Sequence, residues 1–253
     1  MAFLLFFLCV ALSTWIQGLS GFAFSLVLLG LSSLLQLAPV AEVANAATLL
    51  SLVNGLLYFR LQGFEPNRPA LRAVLPAGLL MVPVGVWLLG WLGSVTVLAL
   101  RGLLGAAIIV SALLLLAARP AASQPSRLSC WMAGAASGLM GGLFSAAGPP
   151  LVFLFYRQAL PARQIQHTLL TLFACSAAAR AVVVLLGGQY SLQSLWLFAS
   201  ALPAVYIVNR LQQRYVLPLR REQLQRLVAA LLVGTGASLL WPLLQSFFLA
   251  APR

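Results

Sequence analysis

The chain has 253 residues, of which 62% are hydrophobic and 7% charged, and its mean hydropathy is +1.02. No soluble domain of this size could hide so much apolar surface, so lipid is the solvent and the class is an all-α integral membrane protein with several crossings. The net charge of +12 does not point to nucleic acid, because the basic residues stand in short loops between apolar segments and not on one soluble face.

In chain order the apolar spans are 2–36, interrupted near Gly18 to Gly21; 41–59; 71–92; 95–118; 129–156, interrupted near Gly141 to Pro150; 164–187; 191–209; and 223–249. A helix needs about 20 residues to cross the hydrocarbon, so six spans are single crossings and two are long and broken. Residues 2–10 have no basic residue before them and no small-x-small site after them, so they are read as membrane segment and not as a cleaved signal. The Pro-, Ser- and Gln-rich stretch from Arg119 divides the chain into an N-terminal repeat (1–118), a cytoplasmic linker (119–128) and a C-terminal repeat (129–253). Cys9, Cys130 and Cys175 lie in apolar segments without metal-type spacing, so neither a disulfide framework nor a metal or cofactor is expected.

The two halves echo one another. Gly18-Leu-Ser-Gly-Phe-Ala-Phe-Ser25 matches Gly138-Leu-Met-Gly-Gly-Leu-Phe-Ser145 at five of eight positions. Pro39-Val-Ala-Glu-Val-Ala-Asn45 is echoed by Pro161-Ala-Arg-Gln-Ile-Gln-His167, and Leu75-Pro-Ala77 by Leu202-Pro-Ala204, in the same order. If every span crossed once, arginines would fall almost evenly on the two sides, against the positive-inside rule. If each broken span instead returns to its own side as a hairpin, twelve arginines become cytoplasmic, Arg253 alone is outside, and Arg101 and Arg180 remain in the membrane. The second half is then inverted relative to the first, and both termini face the periplasm.

Inverted repeats that each open with a discontinuous helix form a recurring transporter plan with the substrate near the midplane. A half-helix N-terminus offers unpaired N–H groups and the positive end of its dipole, and glycine lets a ligand approach the backbone. The candidate binding residues at the breaks are therefore Gly18, Ser20, Gly21 and Ser25 in the first half, and Gly138, Gly141, Gly142, Ser145 and Gly148 in the second. The competing reading is that these glycines serve close helix packing.

With those residues in view, the chain resembles the TauE/SafE sulfite-exporter family of membrane permeases, on Gly18 to Ser25 followed by Pro39, and on Gly138-Leu-Met-Gly-Gly-Leu-Phe-Ser-Ala-Ala-Gly-Pro-Pro150 followed by Arg163 to Arg180. The resemblance covers nearly the whole chain, with Phe22 standing where a further glycine is expected. It implies transport of sulfite or an organosulfur anion, generally outward.

Arg180 lies ~10 Å from the outer end of its span at 1.5 Å per residue. An intramembrane arginine is expensive and functional by default, and its planar fork suits a sulfonate or sulfite; the alternative is that it snorkels to the outer interface. Thr168 and Thr171 share a face of the same helix and, with Asn45 in the equivalent helix of the first half, are candidates to line the pathway, though polar residues also glue helices together. The spans nearly lack acids and histidines, Glu42 and His167 being the exceptions, so proton coupling is not expected. Ser137 or Ser145 with His167 could form a dyad of an intramembrane hydrolase, but no full nucleophile motif accompanies them. A small-anion channel is the nearer alternative. The chain is thus expected to be a secondary permease of the bacterial inner membrane, no enzyme, whose partners are a small sulfur-containing anion and the bilayer, with a homo-oligomer left open.

Overall fold

A computed structural model describes residues 2–20, 22–95, 97–117, 125–158, 160–214, 226, 228–237 and 239–240. The described residues are almost entirely helical: α1 (Ala2–Ser20), α2 (Phe24–Leu34), α3 (Val40–Gln62), α4 (Arg68–Val95), α5 (Val97–Ala117), α6 (Arg127–Phe144), α7 (Gly148–Tyr156), α8 (Ala162–Leu186), α9 (Leu192–Arg214) and a shorter α10 (Val228–Ala237). Helix is the outcome these apolar runs allow, since in lipid each backbone N–H and C=O must find its partner within the segment. Five helices, α3, α4, α5, α8 and α9, contain stretches long and apolar enough to cross a membrane. The protein is therefore a multi-pass membrane protein. The expected span 223–249 falls largely outside the described residues, as does much of the 119–128 linker.

Both expected breaks are present. Ala23 precedes α2 with a φ of 78°, and Ser145 closes α6 with a φ of 54°. Holding a non-glycine residue in this left-handed region costs about 1–2 kcal/mol, so each break carries strain that ordinary helix packing does not require. The repeated strings are not in register with the breaks, however. Matching strings pairs Ala23 with Leu143, whereas matching the caps pairs it with Ala147, four residues on.

Capping follows local chemistry. Asn67 Oδ1 accepts from the Ala70 N–H at the start of α4, and Ser126 from the Ser129 N–H at the start of α6. Pro39 and Pro161, with φ of −56° and ψ of 143° and 137°, introduce α3 and α8. Pro76, Pro83 and Pro203 lie inside α4 and α9.

α4 runs along α6 and α1 along α9; α3 contacts both α8 and α9, α4 contacts α8, and α5 contacts α7. The α4–α6 crossing is backbone on backbone, because a methyl on Gly134, Gly138 or Gly142 would overlap the carbonyl of Val74, Gly78 or Val82. Large apolar side chains point outward: Trp87, Trp91, Trp131 and Trp196 are each more than half exposed, as a lipid-facing surface requires. A set of polar side chains, among them Gln17, Asn45, Thr48, Asn54, His167, Arg180 and Asn209, is buried in the interior.

Two sets of contacts define the ends of the bundle. At one, Phe3 and Phe6 share an apolar groove with Leu37, Trp196 and Leu197, Asn45 Nδ2 donates to the Gln189 carbonyl (3.0 Å), and Ser191 Oγ donates to Glu42. At the other, the Glu65 and Asn67 N–H groups donate to His167 Nδ1 (3.1 Å) and Thr168 Oγ1 (2.8 Å), Gln212 Nε2 donates to the Trp15 carbonyl (2.7 Å), and Gln166 Nε2 donates to the Gly18 carbonyl (3.2 Å).

Candidate functional site

The two breaks meet. Gly148, the first residue of α7, sits against the Phe22 ring, so closely that a Cβ there would lie 3.2 Å from it. Around this meeting point is a small cavity with an open mouth, lined by residues 22–26 of the first break and 145–148 of the second, with Gln17, Ser51, Gly55, Gly141 and Ser176 among its other walls. Its hydroxyls are Ser25, Ser51, Ser145 and Ser176, and Phe22, Phe24, Leu170 and Phe173 supply apolar surface. Among the described lining residues none carries a charge.

Both helix N-termini here lack a side-chain cap. Neither Ala23 at the start of α2 nor Ala147 at the start of α7 can cap the following N–H groups with a side chain. Helix N-termini leave such donors to water or a ligand, at the positive end of the dipole. α2 offers more of them, since Pro149 and Pro150 remove two N–H groups from the first turn of α7. Ser25 Oγ stands 3.4 Å from Ser51 Oγ, and Ser145 Oγ 3.1 Å from Thr48 Oγ1.

Arg180 lies behind this wall. It has no exposed surface, so the snorkelling alternative does not occur. Its Nε donates to the Gly142 carbonyl (2.9 Å), and Nη1 points at Thr48 Oγ1 (2.6 Å), Asn45 Oδ1 (3.1 Å) and the Ala44 carbonyl (3.2 Å). Nη2 is buried without a partner among the described residues. Gly142 is in the last turn of α6, where carbonyls lack intrahelical donors and the dipole end is negative. A buried cation costs several kcal/mol unless it is well bonded, and this cluster of acceptors is what meets that cost. Arg180 thus ties α8 to the open end of α6 and to the N-terminal turns of α3, and through Thr48 it is two hydrogen bonds from Ser145.

The expected residues separate into groups. Ser25, Gly141, Ser145 and Gly148 line the cavity; Asn45, Gly142 and Arg180 form the network behind it. Gly138 faces α4 and Gly18 lies under the Gln212 side chain, so for these two the packing alternative describes what they touch. Thr168 holds Asn67 of the α3–α4 loop, and Thr171 Oγ1 donates to the His167 carbonyl (2.7 Å). Gly21 and the Ser20 side chain lie outside the described residues. Ser137 Oγ donates to the Ala147 carbonyl (2.6 Å) while His167 Nδ1 accepts from Glu65, so the ring bonds the loop and not Ser137. Sequence reasoning passed over Gln17, a lone amide one residue before Gly18, and Asn209; buried amides are scarce in membrane helices, and that scarcity was the available signal.

The family model described as "Sulfite exporter TauE/SafE" matches residues 5–239. The "Probable sulfite/organosulfonate exporter TauE" of Cupriavidus necator is 32% identical over 241 residues, covering 93% of each chain. No solved structure matches. The chain belongs to the TauE/SafE sulfite exporter family, whose members are membrane exporters and not enzymes.

Proposed function

We propose that this protein is a secondary permease that moves sulfite or a small organosulfonate out of the cell across the bacterial inner membrane, binding it in the cavity where the two helix breaks meet. The observation that carries this reading is the convergence of two uncapped helix N-termini and four serine hydroxyls on one cavity free of acids among its described walls. Such a site binds an oxyanion by neutral donors, which holds it firmly enough to select it and loosely enough to release it. Arg180, a layer behind, supplies the positive charge, felt at the cavity through Thr48 and Ser145.

The proposed architecture is two inverted halves, 1–118 and 129–253, each a broken hairpin and three crossing helices, with both termini periplasmic. Reciprocal packing supports it: α4 lies along α6 as α1 lies along α9, and α3 meets α9 as α8 meets α4. Hairpin return is supported by Leu37, after α2, lying beside Phe3 and Phe6 of α1. Under this arrangement the α3–α4 loop and the start of α8, which are bonded to one another, are both cytoplasmic. Single cysteines at Arg68 and Pro161 should react only with reagent admitted to the cytoplasm; labelling of Pro161→Cys from outside would overturn the inversion.

Export needs no coupling ion in this account, because an inside-negative potential contributes about 2.3 kcal/mol per charge per 100 mV. The test is efflux from proteoliposomes loaded with labelled sulfite, thiosulfate or sulfoacetate. Efflux should rise with an imposed inside-negative potential and be unchanged when a proton gradient is collapsed at clamped potential; strict dependence on the proton gradient would contradict it.

A further inference from the structure

Gln17 on the cavity wall is held by a row of buried amides that crosses three helices. Asn209 of α9 donates from Nδ2 to the Val205 carbonyl (2.8 Å) and to Asn54 Oδ1 of α3 (2.6 Å), and Asn54 Nδ2 donates to Gln17 Oε1 of α1 (2.7 Å). Gln17 and Asn54 are 5% exposed and Asn209 6%. An amide at the end of such a row can in principle turn either way, presenting oxygen or nitrogen. Here one end is fixed. A backbone carbonyl only accepts, so Asn209 must turn its NH2 to Val205; Asn54 then accepts with its oxygen and donates with its nitrogen, and Gln17 accepts with Oε1.

The consequence is at the other end. With Oε1 taken, Gln17 keeps both Nε2 hydrogens without a partner among the described residues, on a side chain that lines the cavity. If Gln17 were reversed, its NH2 would oppose the Asn54 NH2 and an acceptor oxygen would face the cavity, which an anion would avoid.

We infer that the Asn209–Asn54–Gln17 row is a positioning device that holds the Gln17 amide with its N–H donors toward the cavity, so that Gln17 is a binding residue for the transported oxyanion and Asn54 and Asn209 set its polarity. This rests on the cavity being the anion site. The row adds a neutral donor in a place where a lysine would hold the anion too tightly to release, and it spans α1, α3 and α9 without sharing a residue with the Arg180 network.

The test is uptake by the full chain in proteoliposomes, with labelled sulfite, thiosulfate and sulfoacetate, and with phosphate and nitrate as oxyanions lacking sulfur. Gln17→Met keeps the length and removes the donors, and its apparent KM should rise about tenfold, the size of one hydrogen bond to a charged acceptor. Asn209→Leu, which frees the row to reverse, should raise KM by about threefold, a partial loss of that same bond. The double variant should be no worse than Gln17→Met alone, because Asn209 acts only through Gln17. Asn209→Ala takes the place of the leucine variant should that one fail to fold. An unchanged KM in Gln17→Met, or effects of the two substitutions that multiply, would overturn the inference. A wild-type protein that carries phosphate or nitrate and refuses the sulfur anions would defeat the proposed substrate, while the Gln17 and Asn209 coupling measured on the anion it does carry still decides the row. A chain that carries none of them overturns both.

Discussion

The two helix breaks share a geometry and differ in chemistry. Each sets a helix end beside a non-glycine residue in the left-handed region, and each opens on an uncapped helix N-terminus. At the first, the carbonyl of Gly18 near the end of α1 receives a neutral amide, Gln166, and a Gln212 side chain fills the space over the glycine. At the second, the carbonyl of Gly142 receives the Arg180 guanidinium, and Gly138 and Gly142 press directly on the backbone of α4. The first break is therefore donor-rich, neutral and cushioned, whereas the second is charged and rigid. Similar backbone geometry at the two places has been given two tasks: the first presents N–H groups and the second places a positive charge.

The largest expected difference between the breaks is in folding. A methyl on Gly138 meets the Gly78 backbone, which cannot give way without moving a helix, whereas one on Gly18 meets the end of a flexible Gln212. Gly138→Ala should cost on the order of 1–3 kcal/mol or abolish folding, and Gly18→Ala should melt close to wild type in detergent. Equal melting of the two would remove the distinction.

Next in size is the tie at each open helix end. Arg180→Gln should weaken apparent anion affinity by roughly tenfold or more, from a loss of about 1.5–3 kcal/mol for a charged hydrogen bond, with Arg180→Lys between. Gln166→Leu removes a neutral bond of about 0.5–1.5 kcal/mol and should lower stability more than affinity. Wild-type affinity in a well-folded Arg180→Gln protein would leave the neutral cavity donors as the whole site. The smallest contrast is between serines: Ser145→Ala should raise KM more than Ser25→Ala, since only Ser145 connects to Arg180 through Thr48. KM values from the same flux assay check the order.

Much of this was readable from residue order. The paired breaks are marked by glycines and serines interrupting apolar runs, and Arg180 by the rarity of a charge inside a span. The register of the second break was not. The matched strings place Ser145 with Ser25, yet Ser25 is the second residue of α2 while Ser145 closes α6, before its own break. A four-residue slip is about one helical turn and leaves the exposed face nearly unchanged, so string matching is blind to it. The differing tasks of Gly138, Gly141 and Gly142 were also hidden, because which neighbour a glycine faces depends on a helix 35 to 60 residues away in sequence. Gln17, Asn54 and Asn209 become a unit only when α1, α3 and α9 are packed together.

The central claim is that both breaks contribute to one anion site, and protection of engineered cysteines tests it most directly. In a protein with Cys9, Cys130 and Cys175 replaced, Ser25→Cys and Ser145→Cys would each be reacted with N-ethylmaleimide while sulfoacetate is titrated. The account predicts that sulfoacetate protects both cysteines with the same half-saturating concentration. Protection of one without the other, or of both at clearly different concentrations, would contradict a shared site.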